Sequence, residues 1–555
     1  MKKVTVLFFF GLMLSVSVQV VGQANVSSFT LPKVEQPTFK ADTVKITSFG
    51  AAKGGLVLNT VAINKAIEAC SSSGGGVVLV PKGMWLTGPI TLKSNVNLHL
   101  QAGAVLQFSS NFDDYPLVMS YFEGWETIRC QSPISAKKQE NVAITGSGII
   151  DGAGQAWRPV KKSKLTSEQW KTLVSSGGIL STDKSTWYPS EKSLLGQNTT
   201  IQGYIKGGSM QEYEKIKDYL RPNMVSLVEC RNVLLEGVTF QNSPAWNLHP
   251  LMCENLTINK VNVRNPWYAQ NGDGVDIESC KNGVVTNSTF DVGDDGICIK
   301  SGKDEEGRKR GMPTENFRIE NCVVYHGHGG FVIGSEMSGG VRNIIVKKCT
   351  FLGTDIGLRF KTTRGRGGVV ENILVDGINM TNIPAEAINF SMYYMGKSPI
   401  AEPEDEGKTQ TTVKEVGANP VADESTPQFK NFTIRNVSCK GAQQAIYLEG
   451  LPEMSIKGIS FDGITIEAQK GIICIEAEDI SFSNVTIKAA KGVPMEMVNA
   501  RGIKTSKVEL LSSSLIKVSV AGAATKSINL SGVKGAEGAS VKIGDGVSQS
   551  EIVKK

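Results

Sequence analysis

A short phrase that recurs along the chain constrains the fold more than any other feature of the sequence. Each copy has a polar residue, an asparagine and an apolar alternation, and its asparagines are Asn141, Asn232, Asn255, Asn282, Asn316, Asn343, Asn372 and Asn431. Alternation is typical of half-buried β-strands. Successive copies between Asn232 and Asn372 stand between 23 and 34 residues apart. Repeats of this length with variable loops predict a parallel β-helix, in which asparagine bends the chain between sheets.

The length of the chain, 555 residues, would by itself favour several domains. A solenoid instead grows by adding coils, so the repeats favour one elongated all-β domain over residues 24–555. Two segments interrupt the repeat, and we predict a helical insertion at 155–222 and a loop insertion at 396–428. Weak alternation at 500–555 indicates terminal coils or a cap.

Three segments have helical patterns. Thr60–Cys70 carries apolar residues at helical spacing and is expected to cover the open end of the β-helix. Thr166–Gln169 and Ser209–Glu212 have the pattern of capping boxes. The apolar residues that follow these boxes predict that both helices pack onto the body of the protein, and they include Trp170, Leu173, Tyr213 and Ile216.

The first residues have the pattern of a cleaved secretory signal. Lys2 and Lys3 precede an apolar stretch, Val4–Val21, which ends in Gly22–Ala24. We therefore expect residues 1–23 to be a signal peptide and the protein to be exported, to the periplasm or beyond. An uncleaved membrane anchor is the alternative, because the stretch approaches the length of a membrane span.

The net charge and the cysteines limit the classes of ligand, metal site and disulfide that the sequence favours. The formal charge falls from +6 to +4 when Lys2 and Lys3 are removed, which suits an acidic partner, and no basic run indicates nucleic acid. The ten cysteines are widely spaced and lie in apolar runs, so we expect buried free thiols. No CxxC or HExxH motif points to a metal. We expect no cofactor, no membrane anchor in the mature protein and a monomer.

Four polar clusters lie among the repeats. They are Asn271-Gly272-Asp273, Asp294-Asp295, Gly327-His328-Gly329 and Arg359-Phe360-Lys361. Because stacked coils bring such clusters to one patch, three carboxylates and one imidazole would meet beside two cations. Paired carboxyl groups are the usual means of glycosidic cleavage, and neighbouring carboxylates push their pKa values apart. The two cations suit a sugar carboxylate.

Each cluster has a plainer explanation when taken alone. Successive strand residues face opposite sides, so Asp294 and Asp295 can share a cleft only where the strand is broken. Otherwise the pair caps a turn. His328 is a turn histidine in the plainer reading, His326 is a rival for its role, and a His326–His328 metal pair stays open.

In this order the clusters resemble the signatures of the polygalacturonases, glycoside hydrolase family 28, which read Asn-Thr-Asp, Gly/Gln-Asp-Asp, Gly-His-Gly and Arg-Ile-Lys. The departures are Gly272 and Phe360, neither of which removes a reacting group. The resemblance spans roughly residues 44–490, without the insertion. It implies a right-handed parallel β-helix and single-displacement, inverting hydrolysis of α-1,4-galacturonan in pectin.

The resemblance also implies roles for individual residues. Asp294 would be the general acid, Asp273 and Asp295 would activate water, and His328 would support the acid. Arg359 and Lys361 would hold galacturonate. The further residues expected to bind substrate are Asn271, Trp246, His249 and Tyr394.

The insertion bears on how the substrate is cut. It precedes the coils that carry the clusters, so we expect it to block one end of the cleft. Trp246 and His249 would form a wall with an aromatic face for a terminal sugar, and Tyr394 would add to it. This arrangement predicts cleavage from chain ends. An insertion remote from the cleft, with internal cleavage, is the alternative.

Other functions stay open from the sequence. A rhamnogalacturonan or xylogalacturonan hydrolase would share the fold. A pectate lyase would need calcium-binding carboxylates and a basic residue as catalytic base. A non-catalytic glycan-binding β-helix would have no reason to keep all four clusters.

Overall fold

The computed structural model describes residues 29–396 and 421–554. The predicted signal peptide and most of the predicted loop at 396–428 lie outside the described residues. Within the described part of the chain, no helix is long and apolar enough to cross a membrane.

The predicted parallel β-helix is confirmed. Within the described residues, each coil contributes strands to three parallel stacks. The first stack contains Ile90–Thr91, Ile134–Lys137, Val225–Val228, Leu248–Leu251, Val275–Glu278, Asp295–Lys300, Gly329–Ile333, Ile356–Lys361, Met495–Val498, Val518–Ala521 and Val541–Ile543.

The second stack follows the first in each coil, and the third completes it. The second contains Thr43–Lys45, Gly76–Val80, Val96–Leu100, Glu140–Gly146, Arg231–Glu236, Glu254–Asn259, Lys281–Thr286, Thr314–Glu320, Val341–Lys347, Ala477–Ala489, Arg501–Leu511, Lys526–Asn529 and Ile552–Val553. The third contains Gly83–Thr87, Ala104–Phe108, Ile149–Asp151, Thr239–Gln241, Asn262–Arg264, Thr289–Asp291, Val323–Tyr325 and Thr350–Leu352.

Toward the carboxyl end, long bent strands run through more than one stack within a coil. They are Val369–Ser391, Gln428–Glu449 and Ile456–Ile475, and the strands Ala477–Ala489 and Arg501–Leu511 likewise continue from the second stack into the third. Inward-facing apolar side chains of all coils form one continuous core. This core explains why the coils stack, since a single coil cannot bury its apolar face alone.

The asparagines of the repeat make the bend between the first and second stacks. All eight adopt positive φ, as with Asn232 at 54° and Asn255 at 56°. Their amides also form a ladder: Asn255 Nδ2 donates to Asn232 Oδ1 at 3.0 Å, and Asn343 repeats this contact with Asn316. Asparagine tolerates the left-handed region and offers both a donor and an acceptor, which explains its recurrence.

Among the described residues, five α-helices lie outside the stacks, at Thr60–Ser72, Ser167–Ser175, Glu191–Thr199, Met210–Glu214 and Asp304–Arg310. The first is the predicted capping helix, and it buries Ile63, Ala66, Ile67 and Cys70 against the first strands.

Both predicted capping boxes of the insertion are present, at Thr166 and Ser209. Tyr213 and Ile216 are buried in a small second core together with Tyr115, Trp157 and Leu220. The helix Ser167–Ser175 differs from the prediction, because it buries no residue and Trp170 and Leu173 are only partly covered. It lies on the surface.

An antiparallel hairpin, Leu117–Phe122 with Trp125–Cys130, was not predicted. It leaves the body between the third-stack strand Ala104–Phe108 and the first-stack strand Ile134–Lys137. A small antiparallel sheet, Val160–Lys161, Thr186–Tyr188 and Ile179–Leu180, belongs to the insertion.

Candidate active site

The four polar clusters meet on the first stack, at the turns that enter it from the third. Asp273 lies in the turn before Val275–Glu278, and His328 lies in the turn before Gly329–Ile333. Asp294 lies in a turn, while Asp295 is the first residue of its strand. The strand is therefore broken between the two aspartates, which removes the objection from strand geometry.

Gly293 makes this break geometrically possible. A Cβ at this position would lie 2.6 Å from the carbonyl oxygen of Pro266 and 2.7 Å from that of Ala269. Only glycine lets the two turns approach so closely, and the neighbouring Asp294 is thereby placed against the turn that carries Asp273.

The three carboxylates form one compact set. Asp273, Asp294 and Asp295 each place an oxygen within 4.8 Å of the other two. Asp273 and Asp295 are buried, whereas Asp294 is partly exposed. Backbone N–H groups hold Asp294: Asn271 donates to Oδ2 at 3.2 Å and Asp295 donates to Oδ1 at 3.0 Å. The set can therefore present one carboxyl group to a ligand and keep two behind it.

The two cations of the last cluster bind Asp295. Lys361 Nζ lies 2.7 Å from Oδ2, and Arg359 Nη1 lies 3.4 Å from Oδ1. Burial would raise the pKa of Asp295, but Lys361 and Arg359 outweigh it and lower the pKa to about 2. Both cations also face the ring of Tyr394, Lys361 at 4.9 Å from the ring centroid. Asp295 is thus held ionised.

Asp273 has the opposite environment. Burial raises its pKa well above the ordinary value, and the charges of Asp276 and Asp294 raise it further, while Lys300 acts against them. Asp295 and Asp273 therefore differ strongly in proton affinity, although they lie in one set. Such a separation is what general acid/base chemistry requires of neighbouring carboxyl groups.

A buried ionic network lies beneath the set and was not foreseen from the sequence. Lys300 Nζ contacts Glu336 Oε2 at 2.9 Å and Asp276 Oδ1 at 3.5 Å. Burial raises the pKa of Asp276 to about 8, although Lys300 favours its ionised form. Lys300 ends the strand that begins with Asp295, but its position in the sequence does not reveal these contacts.

His328 is oriented by a carboxylate that the sequence did not reveal. Its Nδ1 lies 2.5 Å from Asp355 Oδ2, and its backbone N–H donates to the carbonyl oxygen of Asp294 at 2.9 Å. The hydrogen bond with Asp355 raises the pKa of His328, against burial, which lowers it. His326 instead lies 2.9 Å from Asp291, so the two histidines have separate carboxylate partners.

Comparison with known proteins agrees with this geometry. Residues 197–430 match the sequence profile described as "Glycosyl hydrolases family 28". An exo-poly-alpha-D-galacturonosidase of Dickeya chrysanthemi is 29% identical over 418 residues, which cover 73% of this chain and 64% of that protein. The structure of a hyperthermoactive exopolygalacturonase from Thermotoga maritima is 30% identical and has a TM-score of 0.64. The match covers 87% of this chain and 94% of the Thermotoga maritima chain.

The chain belongs to glycoside hydrolase family 28. The resemblance predicted from the four clusters is therefore confirmed, and the protein is a glycoside hydrolase. The family 28 exopolygalacturonase of Yersinia enterocolitica has the same fold, with a TM-score of 0.63 and 23% identity over 86% of this chain and 79% of its own.

Within this family 28 protein, the predicted sugar-binding wall of Trp246 and His249 is wrong. Trp246 is 2% exposed and His249 is 0% exposed. Phe122 stacks on Trp246 at 5.3 Å, and His249 Nε2 lies 2.9 Å from Glu278. The unpredicted hairpin covers Trp246 through Phe122, and Trp246 in turn packs edge-to-face against His249 at 5.1 Å.

The hairpin crosses the cleft to reach its opposite side. Arg310 Nη2 donates to the Gly124 carbonyl oxygen at 3.3 Å, and Glu306 accepts from the Glu126 N–H at 3.1 Å. Lys303 Nζ lies 3.9 Å from the ring centroid of Trp125. The hairpin comes just before a first-stack strand of its own coil, whereas the helix Asp304–Arg310 comes just after a first-stack strand of a later coil. They therefore start from opposite edges of the first stack, and their contacts form a bridge over it. We call Leu117–Cys130 together with Asp304–Arg310 the hairpin bridge.

Asn271 is held by the protein itself. Its Oδ1 accepts from Arg221 Nη2 at 2.9 Å, and its Nδ2 lies 3.5 Å from Glu123 Oε1 at the hairpin tip. Arg221 also donates to the Gln270 carbonyl oxygen at 2.9 Å. Asn271 therefore joins the end of the insertion, the hairpin and Asp294, which indicates a positioning role. Its predicted contact with substrate stays a prediction.

Proposed function

We propose that this protein hydrolyses α-1,4-galacturonosidic bonds in the galacturonan of pectin. The observation that carries this proposal is the set of three carboxylates beside Lys361 and Arg359. A hydrolase needs a carboxylic acid and a carboxylate at the scissile bond, and an acidic sugar needs a cation beside it. The similar exo-poly-alpha-D-galacturonosidase of Dickeya chrysanthemi supports the choice of galacturonan.

In the proposed mechanism, Asp294 donates the proton to the leaving oxygen, because it is the exposed member of the set. Three carboxylates this close share their protons, so the set as a whole carries that proton. Asp295, kept ionised by Lys361, draws the proton from the attacking water, and Asp273 assists it. The protonated His328 stabilises the charge that Asp294 gains as it loses its proton.

We propose inversion at the anomeric carbon. A separation of no more than 4.8 Å is nearer the ~5–5.5 Å of retaining enzymes than the ~6.5–9.5 Å of inverting ones. However, Asp273 and Asp295 are buried, and both oxygens of Asp295 face cations, so neither is placed to attack carbon. Proton NMR of the first product decides: the β anomer supports inversion, and the α anomer excludes it.

We further propose that cleavage starts from chain ends. The hairpin bridge lies on the side of Asp273 that faces the amino-terminal coils, where Phe122 covers Trp246. A groove closed on one side accepts a chain terminus better than a chain interior. The element that supports this proposal is therefore the hairpin, whereas the insertion packs behind it through Tyr213 and Ile216.

Digestion of polygalacturonate tests the reaction and the mode together. We expect new reducing ends without the absorbance of an unsaturated product, both with and without a chelator. A lyase would give that absorbance, and a binding protein would give no new ends. Slow loss of viscosity relative to reducing-end release supports chain-end cleavage, while a steep early loss contradicts it.

Export is a separate proposal, which rests on Lys2, Lys3 and the apolar stretch that follows them. Cell fractionation tests it. A mature protein that lacks residues 1–23 outside the cytoplasm supports it, and full-length protein in the cytoplasm contradicts it.

A further inference from the structure

A pocket opens beside the catalytic carboxylates, along the turns that lead from the third stack into the first. Its volume is about 490 Å³. Pockets that bind small ligands have volumes of roughly 300–1,000 Å³, so the pocket has room for sugar rings. The residues that line it include Lys164, Trp267, Asp291, His326, His328 and Asp355.

The pocket contains an exposed aromatic side chain. Trp267 is 49% exposed, although most large aromatic residues of this protein are buried. Its ring stands edge-to-face against Tyr268 at 5.8 Å, which supports it from one side. A tryptophan face left open in a polar pocket suits the apolar face of a sugar ring.

The pocket also contains a cation without an ion-pair partner. Lys164 comes from the insertion and is half-buried at the rim. In the described part of the chain, no carboxylate lies within 4 Å of its Nζ, whereas the two histidines of the pocket pair with Asp291 and Asp355. Lys164 also acts on the charge of Asp355 at longer range, but Asp355 is hydrogen-bonded to His328. A half-buried lysine without a direct ion pair therefore still favours an anionic ligand.

The pocket is separate from the two cations of the catalytic strand. Arg359 and Lys361 bind Asp295 and face Tyr394. Neither lines the pocket, and Lys164 reaches it from a different part of the chain. A second anion can therefore be bound here while the first stack holds the sugars at the scissile bond.

We propose that this pocket is a binding subsite for a further uronate residue of the substrate chain. Lys164 binds the sugar carboxylate, and Trp267 covers the apolar face of the ring. The inference rests on the proposed function, since it takes the substrate to be a polymer of uronic acid. It assigns to the insertion a direct contact with substrate.

The experiment compares oligogalacturonides of increasing length, from two to five residues, with purified full-length protein. The wild type is measured first; if it cleaves none of them, the proposed function fails, and the inference fails with it. If it cleaves them, Lys164→Gln is expected to lower kcat/KM about tenfold or more for oligomers long enough to fill the pocket. The loss is expected mainly in KM and is smaller for the shortest substrate.

Matched variants separate binding from structure. Lys164→Arg keeps the charge and is expected to restore most of the activity on long oligomers. Trp267→Ala is expected to show the same dependence on length. Lys162→Gln, an exposed lysine two residues away, is the control and is expected to match the wild type. An equal loss at every length for Lys164→Gln, or no loss at any length, overturns the inference.

Discussion

At the scale of single residues, the arrangement of the carboxylates separates the proton donor from its supports. Asp294 is the only member of the set that is partly exposed, and backbone N–H groups hold both of its oxygens. Its neighbours Asp273 and Asp295 have opposite pKa shifts for clear physical reasons, burial in one case and two cations in the other. The site therefore depends on buried charges as much as on the group that meets the substrate.

Asp294→Asn tests the proton donor. The amide keeps the shape of the side chain but has no proton to give, so we expect kcat to fall by about 10²–10⁴-fold on polygalacturonate. The melting temperature should change little, because Asp294 is partly exposed. Asp113→Asn, an exposed aspartate outside the site, is the control. Activity within tenfold of the wild type would remove Asp294 from the mechanism.

Asp355→Asn tests the support of His328. Charged groups near this ring include Asp294, Asp295, Asp355, Arg359 and Lys164. Asp355 raises the pKa of His328, so its removal lets the imidazole lose its proton at lower pH. If the protonated form supports Asp294, the alkaline limb of the pH–rate profile moves to lower pH in this variant.

The matched control for this prediction removes the carboxylate that pairs with the other histidine. Asp291→Asn affects His326, so the alkaline limb should stay where it is in the wild type. A limb that moves to higher pH in Asp355→Asn, or moves equally in both variants, contradicts the role given to His328.

At the scale of elements, the excursions from the coils shape the site. The hairpin Leu117–Cys130 leaves the body before the coils of the site and closes over Trp246. The insertion packs against the hairpin through Tyr213 and Leu220, which belong to the small second core. The β-helix supplies the reacting groups in register, and these excursions decide which part of a polymer reaches them.

Replacing the hairpin residues 118–129 with a short glycine linker tests this division of roles. Removing the hairpin bridge opens the groove on its closed side, so we expect the viscosity of polygalacturonate to fall steeply at low reducing-end release. The same assay on a variant that lacks the surface helix Ser167–Ser175 is the control, since that helix buries no residue. If the shortened hairpin still gives slow loss of viscosity, the bridge does not set the mode of cleavage.

At the scale of the whole molecule, the repeat made the fold predictable, but the surroundings of the site were not. Asn232 and Asn255 are examples of a local sequence pattern that predicts the fold, because each bend and its hydrogen bond recur one coil later. Contacts such as Asn271 with Glu123, or Lys164 with the pocket of His328, join residues more than a hundred positions apart. No spacing in the sequence encodes such pairs, so the sequence does not show that the hairpin covers Trp246.

The cysteines lead to a prediction about the stability of the whole molecule. All ten are buried and free, as their placement in apolar runs predicted. Burial raises the pKa of thiols such as Cys474, to about 12, and the thiol form is unreactive. Because no cross-link holds the coils, their stability comes from the core and the asparagine ladder. We therefore expect the same Tm with and without a reductant.

Thiol counting provides the control for this measurement. The native protein should react slowly with a thiol reagent, and the denatured protein should show ten reactive thiols per chain, since all ten are free in the structure. A lower Tm in the presence of reductant, together with fewer than ten thiols after denaturation, would mean that disulfides contribute to stability. The continuous core would then be insufficient by itself to hold the coils together.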